Sequence, residues 1–185
     1  MDTVFNFAYR WRGFLVIPPV ALAFFWAPLG HAARLPGWLF GAVVFASGLA
    51  LRIWAQMHLH YRLKVRRRLT TTGPYALVRN PIYIGNTLLA AGVVLLLRAP
   101  LIVPLTLLWC AGLYSLVVRR EELVLIERYG EPYREYRRRV PRWLPRWDSE
   151  QVSTGSHTPW FWPSVKAEVH CLLCLLLPVL REVVH

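Results

Sequence analysis

The chain has 185 residues, 56% of them hydrophobic, and carries 22 Lys and Arg against 10 Asp and Glu, a net charge of +12. A small soluble domain rarely combines such apolar and basic contents. Long apolar runs alternate here with short positive segments, which is typical of a multi-pass membrane protein and not of a nucleic-acid-binding domain. Three cysteines are too few for a disulfide framework.

Four apolar stretches approach the length of about 20 residues that a helix needs to cross a bilayer. We therefore predict an all-α fold with about four transmembrane helices. The first stretch follows a basic segment and has no cleavage pattern after it, so we expect it to remain as an anchor. Prolines inside the stretches predict kinks. The stretches are Phe14 to Leu29, Leu35 to Met57, Pro81 to Leu97 and Pro100 to Val118.

The basic residues predict the orientation of these helices. They are concentrated before the first stretch, between the second and third, and after the fourth, whereas the opposite loops hold only Arg34 and Arg98. Since Lys and Arg are retained on the cytoplasmic side, both termini are predicted to be cytoplasmic. The turn between Leu97 and Pro100 is very short, so the last two stretches should form an antiparallel hairpin. The segments that precede and follow this hairpin then meet at one site.

A fifth apolar stretch, Val165 to Val184, is interrupted by charged residues that include Glu168 and Arg181. Its uninterrupted apolar core is shorter than a normal span, which favours an interfacial or bundle-capping helix over a fifth crossing. Residues 148–159 are polar and rich in Ser, Thr and Gly, which is typical of a linker.

The segment before the hairpin combines several local signals. Gly73-Pro74 marks a turn, while Asn80 and Pro81 suit the N-cap and first position of the third helix. The backbone N–H groups of that helix start, together with Arg79, favour an anion such as a carboxylate. The alternative is a capped helix whose arginine extends to the membrane interface. Hydrogen-bonding or small residues in the first turns complete the candidate site: Tyr83, Gly85 and Asn86.

The segment after the hairpin begins with two adjacent carboxylates, Glu121 and Glu122. Helical continuity from the fourth stretch directs at least one of them toward packed protein. A buried carboxylate needs a cationic partner, which can be an arginine or a ligand cation.

Gly130 is a predicted C-cap, after which residues 131–140 form a short helix with Tyr133 and Tyr136 on one face. The tyrosine face can stack on a planar ligand. Alternatively, this is a basic amphipathic helix on anionic lipid.

Two blocks of these residues resemble a known superfamily. The first is Gly73-Pro74-Tyr75 followed by Arg79-Asn80-Pro81-Ile82-Tyr83-Ile84-Gly85, and the second runs from Glu121-Glu122 through Tyr129-Gly130-Glu131 to Pro145. Both resemble the isoprenylcysteine carboxyl methyltransferase and phospholipid methyltransferase superfamily of integral membrane enzymes. The resemblance covers residues 69–145, under half of the chain.

The resemblance implies a helical enzyme that binds S-adenosylmethionine from the cytoplasm and takes a lipophilic acceptor from the bilayer. It implies one membrane domain with three parts: residues 1–68 shape the substrate side, 69–147 hold the cofactor, and 148–185 form the linker and C-terminal helix. Arg79, Glu121 and Glu122 are the implied catalytic residues. The implied cofactor-binding residues are Gly73, Pro74, Tyr75, Asn80, Pro81, Tyr83, Gly85, Asn86, Glu121, Glu122, Tyr133 and Tyr136.

Asn80 departs from the superfamily pattern, which usually has histidine at this position. Asparagine can cap a helix and hydrogen-bond a cofactor, but it cannot carry a proton near neutral pH. The expected reaction is methyl transfer, with isoprenylcysteine-type carboxyl O-methylation first and phospholipid N-methylation or methylation of a quinone or thiol as alternatives. Two alternatives of another kind are a non-catalytic membrane scaffold and a protein similar to NADPH-dependent sterol reductases.

A metal site is the least favoured alternative. Its candidate ligands are His58, His60, His170, Cys171 and Cys174. Cys171 and Cys174 have the spacing of a metal or redox pair, but the chain has no second pair of cysteines, and His58 and His60 point to different faces of a helix. The sequence therefore predicts no bound metal, and it leaves the oligomeric state open.

Overall fold

The computed structural model describes residues 10–11, 13–26, 35–65, 69–145 and 160–184. Throughout these residues the regular structure is helical, and no strand occurs among them. The predicted all-α membrane fold is thereby confirmed. The helices are α1 (Ile17–Trp26), α2 (Leu35–Val65), α3 (Pro74–Leu77), α4 (Pro81–Leu96), α5 (Val103–Tyr129), α6 (Glu131–Arg139), α7 (Phe161–Leu172) and α8 (Leu176–Val184).

Three of the described helical segments are long and apolar enough to cross a membrane: Pro36–Leu59, Pro100–Tyr129 and Phe161–Arg181. Two other predicted spans are shorter apolar helices, Phe14–Trp26 and Pro81–Leu96. The first predicted span extended to Leu29, and residues 27–29 lie outside the described part of the chain. Pro18, Pro19 and Pro104 lie near the starts of α1 and α5, where 3₁₀ turns lead into both helices, and Pro28 lies outside the described part of the chain. Kinks at these prolines stay a prediction.

The closest helix packing joins α2 and α4. A Cβ on Gly92 would lie 2.7 Å from the backbone nitrogen of Phe45, and a Cβ on Gly48 would lie 2.9 Å from the carbonyl oxygen of Gly85. Small residues allow helix backbones to approach this closely in membrane proteins. The two helices therefore form a unit against which the rest of the bundle packs.

Two clusters of buried side chains lie around this unit. One connects α4 and α5 and includes Tyr83, Tyr114 and Val117. The other connects α1, α2, α4 and the turn after α4, and it includes Phe45 and Val94. The predicted hairpin of α4 and α5 is present, because three residues, 97–99, separate α4 from the 3₁₀ turn Pro100–Ile102 that precedes α5.

The C-terminal segment, predicted as an interfacial or capping helix in preference to a fifth crossing, is helical and is long and apolar enough to cross a membrane. α7 packs along α2, and its Glu168 is 1% exposed and bonded to Arg52. A short 3₁₀ turn, Leu173–Leu175, joins α7 to α8. The guanidinium of Arg181 in α8 then donates a hydrogen bond to the Leu97 carbonyl oxygen in the turn after α4. Glu168 and Arg181, the charged residues that interrupt the apolar run, therefore have hydrogen-bond partners inside the helix bundle.

The C-terminal segment runs beside α4 from the level of Arg52 to the turn at Leu97, the end of the bundle opposite to Asn80. That both termini lie on the cytoplasmic side stays a prediction.

Candidate functional site

The candidate site contains two backbone turns with a conformation that glycine adopts readily. Gly73 precedes α3 with φ +62°, and a Cβ at this position would lie 2.3 Å from the ring of His58. Gly130 has the same φ and connects α5 to α6. Side chains disfavour this conformation, so glycine is required at both turns. The segments that contain these turns are the two that the hairpin was predicted to bring together.

Asn80 occupies the predicted N-cap position of α4, but its side chain does not cap the helix. Its Nδ2 instead donates a hydrogen bond of 3.1 Å to the carbonyl oxygen of Arg142. The backbone N–H of Arg79 donates to the carbonyl oxygen of Pro141 at 2.9 Å. The start of α4 is therefore attached to the segment that follows α6.

Glu121 meets the other motif block across the hairpin. The hydroxyl of Tyr83 donates a hydrogen bond of 2.6 Å to its Oε1. The ring of Tyr83 stacks on that of Tyr114, with 4.7 Å between centroids. A hydrogen bond to an ionised carboxylate is stronger than one between neutral groups, so this contact fixes the tyrosine relative to α5.

Glu122 is 5% exposed and lies between two guanidinium groups. Its Oε1 is 2.9 Å from Nη1 of Arg79, and its Oε2 is 2.6 Å from Nη2 of Arg142. Arg142 also donates from Nε to Oε1 at 3.1 Å. The buried carboxylate is thus paired, as its burial requires. Sequence reasoning missed Arg142, because nothing distinguishes it among the nine arginines between Arg119 and Arg146.

The predicted tyrosine face of α6 is buried against the turn at α3. Tyr133 and Tyr136 are 3% and 8% exposed, and the hydroxyl of Tyr136 donates to the carbonyl oxygen of Tyr75 at 2.7 Å. Burial raises the pKa of both phenols, and the Glu122 carboxylate adds to the rise in the pKa of Tyr133. Burial also raises the pKa of Tyr75, with a further increase from Glu121 and an opposing effect of Arg52.

Two predicted cofactor residues, Gly85 and Asn86, face α2 instead. Asn86 Oδ1 accepts a hydrogen bond from Nη1 of Arg52. A Cβ on Gly85 would lie 2.6 Å from Cγ of Arg52. Nε of Arg52 also donates to Oε2 of Glu168 at 2.6 Å. Sequence reasoning did not include Arg52, although a single arginine in an apolar helix is itself a signal of a buried partner.

His58 lies beneath the turn that precedes α3. It is 4% exposed, and its Nδ1 is 3.2 Å from Oγ1 of Thr72. The sequence placed it at the membrane interface, whereas the structure buries it against Gly73. For His60 the side chain lies outside the described part of the chain.

Comparison with known proteins now adds to this geometry. The family model described as phospholipid methyltransferase matches residues 37–132, just over half of the chain. The chain belongs to the phospholipid methyltransferase family. The match contains α2 through α5 and therefore includes both Tyr83 and the Glu121-Glu122 pair. The predicted superfamily is thereby confirmed.

The matching relatives are of two kinds, bacterial heavy-metal resistance proteins and isoprenylcysteine O-methyltransferases. The nickel-cobalt-cadmium resistance protein NccN of Alcaligenes xylosoxydans xylosoxydans is 27% identical over 74% of this chain and 63% of its own length. The cobalt-zinc-cadmium resistance protein CzcN of Cupriavidus metallidurans is 32% identical over 51% of this chain and 43% of its own. The protein-S-isoprenylcysteine O-methyltransferase of Homo sapiens is 36% identical over 42% of this chain and 27% of its own.

The chain thus spans less than two thirds of each of these three relatives. No solved structure gives a significant match.

Proposed function

We propose that this protein uses S-adenosylmethionine to methylate a lipophilic acceptor, with an isoprenylcysteine-type carboxylate as the first acceptor to test. The observation that carries the proposal is the junction of the two motif blocks at one end of the α4–α5 hairpin. Tyr83 contacts Glu121 and Arg79 contacts Glu122, so residues about 40 positions apart form one polar group. Membership of the phospholipid methyltransferase family supports methyl transfer as the reaction class.

The charges at this junction fit such a cofactor. Bound S-adenosylmethionine supplies an electrophilic methyl group on a sulfonium, next to an ammonium and a carboxylate. Glu122 is buried between two arginines, and Glu121 lies beside it at the same junction, bonded to Tyr83. We assign Glu121 to the sulfonium or ammonium, because a carboxylate stabilises either cation. Tyr83, Asn80 and the start of α4 are assigned to the carboxylate end.

The tyrosines and arginines have further roles in this proposal. The wall beside the adenosine would be formed by Tyr75, Tyr133, Tyr136, the Gly73-Pro74 turn and Pro81. Gly85 and Asn86 would fix the position of α4 through their contacts with Arg52 in α2. Arg79 would hold an anionic acceptor beside the methyl group that the bound cofactor would supply. Methylation of a carboxylate would then give an ester, with the thioether of the cofactor as the leaving group.

Different acceptors require different proton chemistry from these residues. A carboxylate acceptor has no proton to lose, so the asparagine at position 80 is compatible with O-methylation. A protonated amine or a thiol must first lose a proton, which a glutamate would have to accept. The asparagine at position 80, which cannot accept a proton, therefore supports a carboxylate acceptor over the phospholipid amine.

The proposal is tested by transfer of labelled methyl from S-adenosylmethionine in lipid nanodiscs, with a farnesylcysteine acid and phosphatidylethanolamine as parallel acceptors. We expect the acid to be methylated. Glu121→Gln should lower kcat/KM by about 100-fold, since it removes an electrostatic partner of the reacting cation. Glu127→Gln is the matched control, because Glu127 is exposed on the same helix.

Absence of both methyl transfer and cofactor binding would overturn the proposal. Transfer to phosphatidylethanolamine alone would reassign the acceptor and leave the reaction class intact. Binding of a reduced nicotinamide cofactor in place of S-adenosylmethionine would favour the reductase alternative.

A second candidate function is a contribution to heavy-metal tolerance, which is what the names of two bacterial relatives describe. The observation that favours it is a group of metal-ligating side chains on α7, Glu168, His170 and Cys171. Expression in a metal-sensitive bacterium should raise the inhibitory concentration of Co²⁺ or Cd²⁺ severalfold. Cys171→Ser should abolish this protection and Cys110→Ser should retain it; equal protection by both variants would reject the candidate.

A further inference from the structure

Three potential metal ligands of different types meet on α7. One ligand atom from each of Glu168, His170 and Cys171 lies within 4.8 Å of the other two. Glu168 and Cys171 are three residues apart, so they share the face that packs inward, and they are 1% and 7% exposed. The exposed His170 turns its ring toward the same sulfur. The group therefore has a buried side and an open side.

The two distances to the sulfur are close to those of a tetrahedral metal site. Metal bonds of about 2.3 Å to sulfur and about 2.0–2.2 Å to nitrogen or oxygen require ligand atoms about 3.4–3.6 Å apart at tetrahedral angles. Cys171 Sγ lies 3.6 Å from Nε2 of His170 and 3.3 Å from Oε2 of Glu168. With the three ligand atoms all within 4.8 Å of one another, a rotation of the exposed His170 side chain can complete the geometry.

The chemistry of the donors selects the class of cation. A thiolate, an imidazole and a carboxylate together suit Zn²⁺, Co²⁺ and Cd²⁺, whereas Mg²⁺ and Ca²⁺ prefer oxygen ligands. Cys174 follows Cys171 by three residues, on the adjoining turn, and is exposed. Its sulfur is the one we assign to the fourth position, because it lies within one helical turn of Cys171 in the chain.

Arg52 sets the charge balance of this site. Its guanidinium already neutralises Glu168 at 2.6 Å, so a divalent cation needs additional negative charge. Two thiolates supply it: with Arg52, Glu168, Cys171 and Cys174 all charged, a bound divalent cation leaves the group neutral. Each thiol releases its proton to solvent as its bond to the metal forms.

We propose that α7 holds one thiophilic divalent cation, with Glu168, His170 and Cys171 as ligands and Cys174 completing the set. This metal site would give the second candidate function, metal tolerance, a molecular basis. The inference rests on that proposed function only for the biological role of the site. Binding is measured on the purified protein, so failure of binding and failure of tolerance are separate results. Methyl transfer involves other residues, and Glu121→Gln should leave metal binding unchanged.

The test is titration of the purified, reduced protein in detergent with Co²⁺ alone. We expect one equivalent to produce a thiolate-to-cobalt charge-transfer band and the intense visible bands of tetrahedral Co²⁺. Zn²⁺ and Cd²⁺ should displace the cobalt, and Mg²⁺ should not. Cys171→Ser should at least halve the charge-transfer absorbance, and the double variant Cys171→Ser/Cys174→Ser should abolish it. Cys110→Ser, a change of the buried cysteine on α5, should leave the band unchanged.

His170→Ala provides a second variant that folding defects do not compromise, because His170 is exposed. It should weaken Co²⁺ binding at least tenfold while thermal unfolding stays unchanged. The proposal is overturned if wild-type protein shows no charge-transfer band, if the band is undiminished in Cys171→Ser, or if His170→Ala binds Co²⁺ as tightly as wild type.

Discussion

At the scale of single residues, the adjacent carboxylates Glu121 and Glu122 have different environments. Glu122 is buried between Arg79 and Arg142, and Glu121 accepts a hydrogen bond from Tyr83. Helical phase predicted that one carboxylate would face packed protein, and Glu122 is 5% exposed. The helical periodicity could not predict which arginine pairs with Glu122, because that depends on how the segment after α6 returns to the start of α4.

Tyr136 gives a prediction about alkaline pH. Burial raises its pKa above the ordinary value near 10, so the folded state keeps a proton that the unfolded state loses. Its contribution to stability is therefore present below pH 10 and is lost as the pH rises further, by up to about 1.4 kcal/mol per pH unit.

Replacing this residue should reduce that dependence. Tyr136→Phe removes the hydrogen bond to the Tyr75 carbonyl and should cost about 1 kcal/mol at pH 8. The same variant should lose less stability than wild type between pH 10 and pH 11. Unfolding by denaturant in detergent at the three pH values measures both effects. Tyr129→Phe serves as a control at a half-buried tyrosine, and equal slopes for Tyr136→Phe and wild type would contradict the assignment.

At the scale of elements, the sequence located most helix boundaries near the site. α4 begins at Pro81 and α5 ends before Gly130, as the cap signals predicted, whereas the Gly73-Pro74 turn also opens a short helix, α3, that was not predicted. The cap boundaries depend on local backbone chemistry and so can be read from a few residues. α2 and α5 extend beyond the predicted spans, to Val65 and Tyr129, because hydropathy detects only the part of a helix that is apolar.

The contact between α2 and α4 gives a prediction about packing. Gly92→Ala would place a methyl group 2.7 Å from the backbone of Phe45, which cannot move without displacing α2. We expect a loss of about 1–3 kcal/mol, the usual cost of overpacking.

A second glycine offers the control for this change. Gly112 lies inside α5, and a Cβ there meets nothing within 4 Å. Gly112→Ala should therefore be neutral or stabilising by up to about 1 kcal/mol through helix propensity. Thermal unfolding of both variants in the same detergent provides the measurement, and equal unfolding temperatures would argue against the close α2–α4 contact.

At the scale of the whole molecule, the C-terminal helix was the least predictable part. Glu168 and Arg181 disfavoured a crossing in the sequence, yet Arg52 and the Leu97 carbonyl satisfy them inside the bundle. The charge of a residue is visible in the sequence, but its partner lies more than 80 positions away. Pairing between distant helices therefore decided the position of this segment, and hydropathy alone does not contain that information.

The length of α4 has a consequence for the surrounding membrane. Its 16 residues span about 24 Å at a rise of about 1.5 Å per residue, against a hydrocarbon thickness of about 30 Å. None of its residues is exposed, so the neighbouring helices, and not lipid, surround it. A helix shorter than the hydrocarbon layer would place its start, at Asn80, below the level of the headgroups. A lipid-anchored molecule diffusing in that leaflet would then meet the polar junction at the depth of its own upper acyl carbons.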